Sequence, residues 1–188
     1  MRKIILLLAV VGLLSGCALS LPPNFVERAQ TDLSTKPLLH QRADWLKGVF
    51  GYQGMFLTRQ RPNIIRGALV CDEETLMFVI LDKTLDKYIS VLNLKFKDDF
   101  KNVSIGKFGA GRRLIVYGKL DVYTFEIIKK GALIDRVAIY EFAIFISDKI
   151  GQSADPFVAE FKKEKEAKKD SDESSQPNSS SDTGWGGK

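Results

Sequence analysis

The chain is poor in the residues on which compact catalytic and cross-linked designs depend. Two cysteines in 188 residues cannot build a disulfide framework. A single histidine, His40, excludes any metal or catalytic centre that needs two imidazoles. No serine lies in a G-x-S-x-G setting, since Gly151-Gln152-Ser153-Ala154 lacks the closing glycine. The acidic run Asp170-Ser171-Asp172-Glu173-Ser174 has no central glycine for a calcium loop. Gly106-Lys107-Phe108-Gly109-Ala110-Gly111 is followed by Arg112 and Arg113, where a P-loop needs Lys and then Ser or Thr. No catalytic residue, metal or cofactor is therefore expected. A hydrophobic content of 45% with 10% aromatics is nevertheless enough for one packed core.

The amino terminus has the layout of an export signal. Arg2 and Lys3 precede an apolar stretch from Ile4 to Leu14. That stretch is well short of the roughly 20 residues a spanning helix requires. Leu14-Ser15-Gly16-Cys17 then resembles the lipobox of bacterial lipoproteins. The resemblance implies that the Cys17 thiol accepts diacylglycerol, that cleavage falls before Cys17, and that the new amine is acylated. Residue 18 is Ala rather than the Asp that favours inner-membrane retention in lipoproteins of the enteric type. In a Gram-negative host this implies the periplasmic face of the outer membrane. Loss of Arg2 and Lys3 lowers the formal charge of +5 by two. Nucleic acid is not an expected partner of so weakly basic a chain in that compartment.

Composition divides the chain into a signal peptide at 1–16, a lipid anchor and tether at 17–37, a body at 38–161 and a polar, disordered tail at 162–188. Within the tether, Asn24 is placed to cap one or two helical turns, with Glu27 as the capping-box acid. Strands are predicted near 50–58, 64–71, 75–81, 88–96, 102–106, 112–118 and 121–128. Asp72-Glu73-Glu74 reads as a tight hairpin turn. The apolar stretch 132–150 is too long for a strand and predicts a buried helix. A second helix is expected to start at Pro156, and Lys162 to Lys169 extends it. Trp185, in the tail, is a lone aromatic. Cys71, in an apolar run, reads as a buried structural thiol.

Gly67-Ala68-Leu69-Val70, a turn, and Thr75-Leu76-Met77-Phe78-Val79 together resemble the opening hairpin of GRAM and bacterial PH-like domains. The similarity continues through Ile89 to Leu92, Val103 to Ile105 and Gly111 to Val116, and ends at Val122 to Ile127. The fold expected is α+β and mainly β: a small antiparallel barrel or sandwich of about seven strands with a C-terminal helix and a flexible tail. PH-like domains often bind anionic headgroups at inter-strand loops. Lys107, Arg112 and Arg113 are accordingly the candidate anion-binding residues. The functional expectation is a membrane-anchored, non-catalytic binding or scaffolding module. It would be held through acyl chains on Cys17 and engage a protein partner or a lipid headgroup. Two alternatives are an anionic-lipid-binding PH-like domain and a periplasmic hydrolase using carboxylates, which a clustered pair of buried acids would favour.

Overall fold

A computed structural model of the chain describes residues 21–47, 63–108, 111–129 and 133–173. The lipobox, the strand expected at 50–58, Gly109-Ala110 and Trp185 lie outside the described residues. In order, the elements are α1 (Phe25–Leu33), β1 (Leu39–Lys47), β2 (Asn63–Cys71), β3 (Thr75–Asp82), β4 (Lys87–Lys95), the short turn α2 (Phe96–Asp99), β5 (Phe100–Phe108), β6 (Gly111–Gly118), β7 (Val122–Ile127), α3 (Arg136–Ile150) and α4 (Asp155–Glu173). The seven strands form one antiparallel sheet in the order β4-β3-β2-β1-β7-β6-β5. The expected seven-stranded α+β architecture with a C-terminal helix is found, but the sheet stays open between β4 and β5.

Side chains engage backbone groups at one point on each of these two edges. The Tyr88 N–H of β4 donates to Asp32 of α1 at 2.9 Å. On β5, Gln152 accepts from the Val103 N–H at 3.0 Å and donates to the Val103 carbonyl at 3.1 Å. Val91 forms a bulge on β4, since Phe78 pairs with Leu92 while Val79 pairs with Ser90.

Strand alternation builds two cores from the same residues. Leu69, Cys71, Leu76 and Phe78 point to the face covered by α3, where they meet Trp45, Leu114, Phe125, Ile127, Ile139, Phe142 and Ile146. Their neighbours Ala68, Val70, Met77 and Val79 point to the opposite face, against Phe25 and Ala29 of α1. β2 and β3 are thus buried on both sides, which is why they read as continuous apolar runs. Within 17–37, where an anchor and tether with one or two helical turns were expected, Phe25–Leu33 form a helix docked on the sheet. The Asn24 side chain makes no cap; the helix instead begins from a turn in which the Phe25 N–H donates to the Pro22 carbonyl at 3.0 Å. α3 is capped by Asp135, which accepts from the Ala138 N–H at 3.1 Å, and so starts later than position 132. It ends at Gly151, whose φ of 73° suits a left-handed C-cap.

Candidate functional site

The register of the β5–β6 hairpin fixes where the candidate cations go. Lys107 and Arg112 are directly opposite one another. Arg112 shares its face with Leu114 and Val116, so both side chains lie on the side of α3. Arg113, one residue on, is carried to the other face. The structure brings two of the three candidates together and separates the third.

On the α3 side, the basic pair meets α4. Lys107 Nζ lies 3.8 Å from Glu160, and Arg112 Nη2 lies 3.7 Å from Glu164. Arg136, the first residue of α3, approaches the same Glu164 at 3.6 Å. The Tyr140 hydroxyl donates to Glu160 at 2.5 Å. Burial pushes the Tyr140 phenol above its usual range, and the Glu160 carboxylate adds to this. In return, the Tyr140 hydrogen bond holds Glu160 below the ordinary glutamate range, and nearby Lys107, Arg112 and Lys163 act in the same direction. Arg112 and Glu164 are only 18% exposed, and the Arg112 Nε is buried without a hydrogen-bond partner.

The other face carries a row of alternating charge. Arg66, Asp44 and Glu126 face one another across β2, β1 and β7. Arg113 reaches Glu126 Oε1 through Nε at 2.7 Å and Nη2 at 2.6 Å. Burial pushes the Asp44 carboxyl up, and its Oδ1 has no hydrogen-bond partner. Asp44 and Glu126 are a neighbouring carboxylate pair that sequence inspection missed. Strand alternation in 39–47 is the signal that would have found it. The Arg113 ion pair engages Glu126, which is how a packed sheet face accommodates charge.

Lys95 and Lys97 join neither group. With Glu73, Glu74, Phe96, Asp98 and Lys149 they line a cleft of about 500 Å³ beside the β2–β3 turn. Lys149 pairs with Glu73 across that cleft at 2.8 Å. Three acids and three lysines leave it without a dominant sign. His40 is half-buried against the Phe25 ring, with centroids 5.6 Å apart, and burial lowers its pKa. Among the described residues, no group of three or more His, Cys, Asp or Glu is placed to hold a metal ion. No described helix is long and apolar enough to cross a membrane. In comparisons with known proteins, no family model and no curated protein matches the chain.

Proposed function

We propose that the chain is a lipid-anchored protein of the bacterial envelope whose α+β domain is a non-catalytic binding or scaffolding module held close against the bilayer. The observation that carries this reading is the short distance in sequence between the lipobox and the core. Leu21 packs against the cluster formed by α1 and the sheet, four residues after Cys17. Four residues reach at most about 14 Å when fully extended. An acylated Cys17 would therefore hold the α1 side of the domain next to the membrane. Confinement of that kind raises the effective concentration of partners on the same membrane, so modest affinity suffices. With Ala18 in place of Asp, the periplasmic face of the outer membrane is the proposed site in a Gram-negative cell.

The described charges weigh against the two alternatives. Lys107, Arg112 and Arg113 each face a carboxylate of the same chain, which leaves less cation for an anionic headgroup. Of the Asp44–Glu126 carboxylate pair, Glu126 is held in an ion pair by Arg113. The test compares wild type with Cys17→Ser in cells fed labelled palmitate. Label is expected in wild type alone, together with retention in salt-washed membranes. Equal fractionation of the two chains, with no label in either, would overturn the reading.

A further inference from the structure

We propose that Lys107, Arg112, Arg136 and the Tyr140 hydroxyl form a docking site for an acidic helix. α4 fills it in the isolated chain, and a partner protein's helix with two carboxylates one turn apart can take its place. The site is assembled from three elements, β5, β6 and α3. It is matched to one pattern, because Glu160 and Glu164 stand four residues apart on a single helical face.

Several observations mark α4 as the exchangeable part. α3 buries seven side chains, whereas no residue from 155 to 166 of α4 is buried. The ion pairs holding α4 measure 3.6–3.8 Å, against 2.6 Å for Arg113 to Glu126 in the sheet, and its shortest tie is the Tyr140–Glu160 hydrogen bond at 2.5 Å. Charge-assisted hydrogen bonds at full strength run about 2.7–2.9 Å. The buried Arg112 Nε is a donor that the acids of α4 leave unmet. The link between the helices contains Gly151 in the left-handed region, and Gln152 is fastened to β5 at Val103. Gln152 thus ties the end of α3 to the sheet without help from α4, which adds the partly buried Phe157 to the α3-side core. Low-stability elements of this kind are the ones that open first.

Placement favours a protein over a lipid as the occupant. α1, which continues from the anchor, covers one face of the sheet; α3 and the basic site lie on the other. The site thus faces away from the membrane that would hold Cys17. This inference rests on the binding-module reading for its partner and on the Cys17 anchor for the choice of a protein over a lipid; the docking geometry itself does not need acylation. Failed docking in a chain with acylated Cys17 would overturn the docking site alone, and an unmodified Cys17 would overturn the anchor alone.

The test uses the mature full-length chain in phosphatidylcholine nanodiscs and a fluorescein-labelled peptide of residues 153–173. The E160Q/E164Q chain is expected to bind the peptide at least tenfold more tightly than wild type. A peptide with Gln at both positions should not bind. Adding Lys107→Ala and Arg136→Ala, at more exposed positions than Arg112, should remove binding while leaving the circular dichroism unchanged. Equal binding to wild type and E160Q/E164Q, or equal binding of acidic and Gln peptides, would overturn the proposal. So would capture of phosphatidylglycerol vesicles by E160Q/E164Q without peptide binding, which would make the site a headgroup site.

Discussion

At the scale of single residues, the sheet tolerates little change where strands meet. A Cβ on Gly67 would lie 2.3 Å from the Val79 carbonyl oxygen and 2.8 Å from the Phe78 ring. Neither neighbour can yield, because Phe78 and Val79 sit in the two cores on either side of the sheet. Gly67→Ala is expected to cost about 1–3 kcal/mol. The check is a lowered urea midpoint at unchanged slope, and an unchanged midpoint would contradict it. Cys71 is completely buried, and burial pushes its thiol well above the ordinary range. In the folded chain an aromatic disulfide reagent should leave Cys71 unreacted until denaturant is added. Rapid reaction in the folded state would show that the core is open there. Asp72 organises the turn between β2 and β3. It accepts from the N–H groups of Glu74 at 2.9 Å and Thr75 at 2.7 Å, and from the Thr35 hydroxyl. Burial would raise its pKa, but these hydrogen bonds outweigh burial and lower it. The hairpin was legible from Asp72-Glu73-Glu74 as a turn between apolar runs. The tie to Thr35 was not, because it joins residues 37 apart in sequence.

Among the elements, α4 is attached through groups whose titration is shifted by the contact. Glu160 faces Lys107 of β5, Arg112 of β6, Tyr140 of α3 and Lys163 of its own helix. Glu164 faces Arg112 and Arg136. The folded-state pKa of Glu160 is depressed, so its contribution is complete above the ordinary glutamate value and is lost as pH falls through the depressed one. Tyr140 has the opposite sign at the alkaline end: its raised pKa gives a contribution that is present below the ordinary phenol value and lost as pH rises through the raised one. Hydrogen-exchange protection in residues 155–166 is expected to fall on acidification before protection in α3 does. Simultaneous loss from both helices would contradict independent docking of α4. This contact was invisible in the sequence because the Lys-Glu alternation of 162–166 reads as a solvated surface. β1 was also missed. Only Leu39, Ala43 and Trp45 of its residues enter or pack against the α3-side core, while Arg42 and Asp44 alternate with them, so no apolar run announces it. β2 and β3 were legible for the converse reason, since burial on both faces leaves no polar alternation.

For the whole molecule, the fold divides labour between two faces. One carries Leu21 and α1; the other carries α3 and the seat of α4. On the open edges, Asp32 takes the Tyr88 N–H and Gln152 takes the Val103 N–H and carbonyl, which blunts strand pairing at those points. The class of fold and its hairpins could be read from turn chemistry and apolar runs. The separation of Arg112 from Arg113 follows only once the strand is known, because adjacent residues then point to opposite faces. The claim on which the functional account depends is covalent: diacylglycerol on the sulfur of Cys17. Intact-mass and peptide mass spectrometry of the chain extracted from membranes test it most directly. The account predicts an amino terminus at Cys17 with a thioether-linked diacylglycerol, and a further acyl group on the amine. An unmodified Cys17 thiol in mature protein, or cleavage elsewhere with release from the membrane, would contradict it.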